Sequence, residues 1–177
     1  KGIIRIVSAC PQKESPMPSH IQRTACLPYS AESLFELINQ VESYPNYLPG
    51  CIEASTLSRH GNTVLAQMTL SKAGFTRTLT TCNELTAPTR VSMRLVEGPF
   101  KTFEGEWCLT PLGPHATKIT LSLCFEVGGA WLGSMVKPLF ASMDTQLLHA
   151  FCEYAKNTLG TPHLSSSPTS SQTSTNG

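Results

Sequence analysis

The feature that most constrains the fold of this chain is a series of short segments in which apolar and polar residues alternate. The clearest case is residues 119–127, where every second residue from Ile119 to Val127 is large and apolar. The same alternation recurs in three earlier segments, which are residues 64–70, 91–95 and 103–109, and residues 76–85 are rich in β-branched residues that favour strands. Because successive side chains of a strand point to opposite faces, each segment predicts a strand with one covered and one wet face. Short connections between the segments predict antiparallel neighbours.

The apolar period changes after Gly128-Gly129. From Leu132 to Tyr154 apolar residues recur three or four positions apart, which predicts one long amphipathic helix of roughly 25–30 residues. Before the alternating segments, Ile21 to Leu27 predicts a first strand, and Ser30 precedes an apolar stripe that predicts a short helix. Pro45 and Pro49 limit the next segment to a short helical turn.

This order predicts an α+β domain. A curved antiparallel sheet of about six to seven strands is expected to wrap around one long C-terminal helix, with two short helices after the first strand. Because a large twisted sheet curls, a single helix does not fill its concave face. We therefore expect an internal apolar cavity between sheet and helix.

The two ends of the 177-residue chain differ from its middle. Residues 161–177 contain 12 Ser, Thr or Pro in 17 positions and no charge, which predicts a disordered tail. Residues 1–19 are rich in proline and predict a flexible extension, with Met17 as a possible native start. Residues 20–160 form the predicted domain. The chain has no run of 18 apolar residues, which excludes a membrane-spanning helix by sequence.

Charge and cysteine content narrow the class of protein. The net charge is +1, whereas a domain that holds DNA mainly by phosphate neutralisation has a strong basic excess, so no DNA partner is expected. The seven cysteines contain no CxxC pair, which argues against a metal or redox site. Their odd number favours a reducing compartment, and we expect a cytoplasmic protein with small, buried thiols.

Four motifs occur in order along the predicted domain. They are 41–51 (VESYPNYLPGC), 71–75 (SKAGF), 97–101 (EGPFK) and 105–111 (GEWCLTP). With this element order, they resemble the START-like (helix-grip, SRPBCC) superfamily, and within it the coenzyme-Q-binding START-domain family. The Gly-Pro-Phe-Lys form is similar to the bacterial branch, which contains the RatA ribosome association toxins and oligoketide-cyclase-like proteins. The resemblance covers residues 20–160.

The resemblance implies two functions that need not exclude each other. The first is non-enzymatic binding of ubiquinone or a related isoprenoid in the cavity, in support of respiration and with possible peripheral contact with the inner membrane. The second is binding to the large ribosomal subunit, which blocks subunit association. A polyketide cyclase or dehydratase is a third reading, although fold likeness alone does not transfer chemistry.

The candidate ligand-binding residues are bulky apolar side chains and one cation. The aromatic loop at residues 44–49 either gates the cavity or covers the sheet edge. Arg77 is in phase with Leu79 and is therefore expected on the inner face, where it needs a partner or a ligand. Aromatic side chains at strand ends and the helical stripe either line the cavity or form plain core. The full set is Tyr44, Tyr47, Leu48, Met68, Phe75, Arg77, Phe100, Trp107, Met135, Leu139, Phe140, Met143 and Leu147.

Positive charge is concentrated in residues 72–101, which carry a local net charge of +3. The candidate contacts with ribosomal RNA or an anionic surface are Lys72, Arg90, Arg94 and Lys101. A solvated sheet surface is the alternative reading of this set. Catalysis is not supported by the sequence, because Glu104 and Glu106 fall on the wet face of their strand and a catalytic pair needs burial. No metal-ligating spacing occurs around His149.

Overall fold

The computed structural model describes residues 18–72, 74–127 and 146–160, without the side chains of Lys72 and Phe75. The elements in chain order are β1 (Ser19–Leu27), α1 (Ala31–Asn39), a 3-10 helix (Val41–Asn46), β2 (Cys51–His60), β3 (Thr63–Lys72), β4 (Phe75–Thr86), β5 (Arg90–Glu97), β6 (Phe100–Gly113) and β7 (Ala116–Val127). A second α-helix, α2, follows, and its described part covers residues 146–159.

The seven strands form one antiparallel sheet in the order β1-β7-β6-β5-β4-β3-β2. β1 and β2 are therefore the two edge strands. Alternation places most of the large apolar strand residues on one side, which we call the covered face, and most of the polar residues on the outer face. On α2, Leu147, Leu148 and Phe151 are buried. The predicted α+β helix-grip class is confirmed, and the predicted start of the long helix lies outside the described residues.

The helix α1 lies in the connection between β1 and β2, and a side-chain hydrogen bond caps its N-terminus. The Ser30 hydroxyl accepts from the Ser33 backbone N–H at 3.2 Å and caps α1. Leu34, Leu37 and Ile38 form the buried face of this helix.

Five strand positions are skipped in the ladder, and four of them carry exposed large apolar side chains. Ile52 and Leu57 lie at two register shifts between β2 and β3. Val96 lies at the shift between β4 and β5, and Lys101 and Leu112 lie at shifts between β6 and β7. The four apolar residues are 50–59% exposed. A β-bulge adds a residue to one strand and bends it, so these residues accompany the curvature of the sheet.

The prediction of uniformly buried cysteines is wrong. Cys51 and Cys152 are buried, but three others are half-buried and Cys26 is exposed. The reason is strand phase. The exposed and half-buried thiols are on the outer face, where for example Cys124 pairs with Glu104 in the ladder. The six described cysteines are all free.

In residues 18–72, 74–127 and 146–160, no helix is long and apolar enough to cross a membrane. The same residues contain no cluster of three or more His, Cys, Asp or Glu side chains placed to hold a metal ion. The terminal segments predicted to be flexible, residues 1–19 and 161–177, lie outside the described residues apart from Pro18 and Ser19.

Candidate functional site

An apolar cavity of about 70 Å³ lies between the covered face of the sheet, α2 and the loop after α1. Six of the predicted ligand residues line it, namely Tyr44, Tyr47, Leu48, Met68, Trp107 and Leu147. The predicted ligand set did not include seven further lining residues, namely Ile38, Leu70, Leu79, Met93, Phe103, Leu121 and Leu123. The sequence pattern could have identified these residues, because each is apolar and in phase with the buried side of its strand or helix.

Strand register brings a glycine between two residues of the cavity wall. Met93, Gly105 and Leu123 are consecutive partners across β5, β6 and β7. A Cβ atom at Gly105 would lie 2.6 Å from Met93 Cε and 3.0 Å from Leu123 Cδ2, which is too close for ordinary contact. Glycine at this position therefore leaves room for the Met93 side chain, which reaches over it into the cavity wall. Methionine is flexible, so this part of the wall is adaptable.

The aromatic loop is packed against α2. The Tyr47 ring stacks on Tyr154 at 4.5 Å between centroids and meets Phe151 edge-on at 6.0 Å. The Tyr44 hydroxyl donates to the Ile38 carbonyl oxygen at 2.7 Å. Burial raises the pKa of both phenols well above the usual value, and for Tyr47 the neighbouring Tyr44 adds to the effect. The loop thus covers the cavity with neutral, packed rings.

Two predicted ligand residues are not part of the lining. Phe100 is buried, but its ring contacts Phe103 at 5.4 Å and Phe125 at 5.5 Å instead. Arg77 pairs with Leu70, as its phase predicted, yet it is exposed and its guanidinium donates to the Thr76 carbonyl oxygen. The expected inward arginine is therefore wrong, because Arg77 lies near the beginning of β4, where water reaches it.

The remaining predicted ligand residues cannot be placed in the cavity. The Phe75 side chain is not described. The four predicted residues of the helical stripe lie outside the described residues, and they are Met135, Leu139, Phe140 and Met143.

Three members of the predicted cationic set have described side chains, and each is exposed and has an acidic neighbour. Arg94 bonds Glu84 at 2.8 Å, and Arg90 Nε lies 3.6 Å from Glu106 Oε2. Lys101 bonds Glu126 at 2.8 Å, and the Glu126 side chain is only 15% exposed. These three cations are thus partly neutralised rather than forming a continuous basic patch. The side chain of Lys72 is not described.

One buried polar group on the covered face has no hydrogen-bond partner within the described residues. Asn83 is 5% exposed, and its Oδ1 atom is buried and unpaired. Its ladder partners are Val64 on β3 and Met93 on β5.

Glu104 is exposed and Glu106 pairs with Arg90, so these two carboxylates do not form a buried acid–base pair.

An antiparallel sheet whose apolar face is covered by a C-terminal helix, with a small apolar cavity between them, defines a helix-grip protein. A family profile described as polyketide cyclase / dehydrase and lipid transport matches residues 27–152. The chain belongs to this family, and within the family it is grouped with the RatA-like proteins.

The curated relatives support that placement. The ribosome association toxin RatA of Pseudomonas aeruginosa is 38% identical over 144 residues, which cover 81% of this chain and all of that protein. RatA of Escherichia coli is 39% identical over 136 residues, which cover 77% of this chain and 86% of that protein. A protein of another Escherichia coli strain, named persistence and stress-resistance toxin PasT, is also 39% identical over 136 residues.

Solved structures share the fold. The aromatase/cyclase Zhui from Streptomyces sp. R1128 superimposes with a TM-score of 0.72 at 18% identity, covering 81% of this chain and 96% of that one. A START superfamily protein from Mycobacterium smegmatis gives 0.67 at 22% identity, covering 78% and 97%. At these identities the likeness concerns the fold and not the chemistry.

Proposed function

We propose that this protein is a RatA-type toxin that binds the large ribosomal subunit and blocks its association with the small subunit. The observation that carries the proposal is the identity of 37–39% to proteins named ribosome association toxin RatA, over 86–100% of their length. Under this proposal the protein works in the cytoplasm, where ribosomes are. No catalytic group is required, because steric occlusion of a subunit interface is sufficient.

The outer face of β4, β5 and β6 is the proposed contact with ribosomal RNA. Arg90, Arg94 and Lys101 project from it, and their side chains are 54–63% exposed. Each cation pairs with a carboxylate in the free protein, so RNA phosphates must compete with that carboxylate. The two arginine pairs are exposed on both sides and such pairs contribute only about 0–1 kcal/mol, so the exchange of partners at Arg90 and Arg94 costs little.

Two matched triple variants test this contact. The first, R90Q/R94Q/K101Q, removes the cations, and the second, E84Q/E106Q/E126Q, removes the carboxylates that pair with them. We expect weaker binding of large subunits by the first variant and tighter binding by the second, measured by co-sedimentation at several salt concentrations. The first should also lower the salt slope by about 0.7–0.9 for each RNA phosphate that the protein no longer neutralises.

Sucrose-gradient profiles test the function itself. Excess wild-type protein should reduce the 70S peak and raise the free subunits, and unchanged 70S formation would exclude the proposal. Equal effects of the two triple variants would retain the toxin function but exclude this outer-face contact.

A second candidate function is the binding of an apolar ligand, and ubiquinone or a related isoprenoid is the class implied by the family resemblance. The supporting observation is the cavity, whose lining residues in the described part of the chain are all aliphatic, methionine or aromatic. Its volume of about 70 Å³ is below the roughly 300–1,000 Å³ of typical ligand pockets, so a quinone ring needs the wall to open. The flexible side chains of Met68 and Met93 are the parts of that wall that yield most easily.

Mass spectrometry of natively purified protein tests this candidate. Retention of an isoprenoid lipid, and its uptake on titration with ubiquinone-containing vesicles, is the expected result. An empty protein that also takes up no quinone would exclude it. Because isoprenoid quinones reside in membranes, this candidate includes peripheral contact with the inner membrane.

A further inference from the structure

The unpaired amide of Asn83 is the feature of the covered face that packing alone does not explain. The residue is only 5% exposed, and its Oδ1 atom has no hydrogen-bond partner among the described residues. Most buried polar atoms in proteins are paired, because desolvation without a partner is destabilising. An apolar side chain of similar size at this position would avoid that penalty.

Strand register places this amide beside the cavity. Met93 is the ladder partner of Asn83 on β5 and lines the cavity, whereas Asn83 itself lies one residue beyond the lining. Side chains of directly opposed residues lie about 4.5–5.5 Å apart at Cβ and share a face. Asn83 therefore lies on the same face of the sheet as Met93 and next to the cavity wall.

We propose that Asn83 is the polar anchor of the cavity and that the ligand is a mostly apolar molecule with one hydroxyl or carbonyl group. The inference rests on the second candidate function. An amide offers both an acceptor and two donors, so it pairs with either group. A site built to pair with a polar group discriminates strongly against an analogue that lacks it, because its own buried group is then left unpaired.

Phenol and toluene are suitable probes, because they have nearly the same shape and differ by one hydroxyl. We expect the full chain to bind phenol at least tenfold more tightly than toluene, measured by two-dimensional NMR titration. The variant Asn83→Leu should lose the preference for phenol and should melt at a higher temperature than wild type, since the unpaired amide is gone. Asn83→Ala, which removes the amide without adding volume, should also lose the preference. Asn39→Leu is the matched control, because the Asn39 amide bonds the Phe35 carbonyl oxygen on α1, and it should keep the preference.

Each outcome separates this inference from the function on which it rests. Equal binding of phenol and toluene by wild type overturns the anchor but leaves an apolar-ligand function standing. Binding of neither probe, together with no uptake of quinone from vesicles, removes the ligand function as a whole. A preference for phenol that survives in both Asn83 variants overturns the assignment to Asn83.

Discussion

Leu121→Ala is the perturbation that best tests whether the cavity can hold a ligand. Leu121 is 2% exposed, lies on β7 and forms part of the cavity wall. Truncation removes three carbons, and at ~0.8 kcal/mol per buried CH₂ the transfer cost is about 2.4 kcal/mol. The new space borders an existing cavity, so the surrounding residues cannot easily collapse into it.

The cavity cost follows from the volume vacated. About 50 Å³ of uncollapsed space at ~24 cal/mol per Å³ adds roughly 1 kcal/mol, for a total destabilisation of about 3.5 kcal/mol. For a domain of this size that is a fall in Tm of roughly 10 °C. The merged cavity reaches roughly 120 Å³, close to the ~150 Å³ that holds benzene in an engineered apolar cavity.

Thermal unfolding with and without toluene is the assay. Toluene at ten times its Kd stabilises the folded state by about 1.4 kcal/mol, which is a rise in Tm of roughly 4 °C for Leu121→Ala. Leu109→Ala is the control, since Leu109 is 1% exposed on the same sheet but outside the lining. It should lose similar stability and gain less from toluene. A toluene response no larger in Leu121→Ala than in Leu109→Ala would refute the idea that the cavity is a usable binding space.

Three further predictions concern the packing around the site. The pKa values of Tyr44 and Tyr47 are raised in the folded state, so their contribution to stability is complete below pH ~10. As the pH rises above ~10, each phenol lowers the free energy of unfolding by about 1.4 kcal/mol per pH unit. Urea unfolding between pH 9 and 11 should therefore show a smaller decrease in the free energy of unfolding for Tyr47→Phe than for wild type. Ser30→Ala removes the N-cap of α1 and should cost about 1 kcal/mol in the same unfolding assay, whereas a loss near zero would contradict the cap. Gly105→Ala should push the Met93 side chain into the cavity, because the new Cβ atom takes its place. The variant should lose about 1–3 kcal/mol of stability in thermal unfolding and should bind toluene more weakly. Unchanged toluene binding would show that Met93 moves elsewhere.

The fold is predictable from the sequence because alternation is long and regular where the strands are. In β7 the apolar residues from Ile119 to Phe125 are all buried, as the alternation predicts. The bulges are not predictable in this way. A residue such as Val96 interrupts the period, and only the ladder shows that it is skipped rather than inward-facing.

The cavity lining was predicted in part, and the missing part has a physical reason. Phase assigns Leu121 and Leu123 to the covered face, but it cannot distinguish a side chain at a cavity from one in the dense core. Arg77 shows that alternation also cannot predict exposure. The residue is in phase with the covered face, as expected, but its side chain is exposed because it lies near the end of a strand. Asn83 offers no sequence signal at all, because a polar residue in a strand is ordinarily assigned to the wet face.

Strand geometry makes the two candidate functions separable by mutation. Neighbouring residues of one strand face opposite sides, so Met93 borders the cavity while Arg94 projects from the outer face, and Trp107 and Glu106 have the same relation on β6. A substitution that changes the cavity therefore lies within about 4 Å of backbone from one that changes the charged face, although the two side chains point to opposite sides of the sheet. If ligand occupancy regulates the proposed ribosome binding, cavity variants will change ribosome binding without altering any outer-face charge. If it does not, the two sets of variants will affect only their own assays.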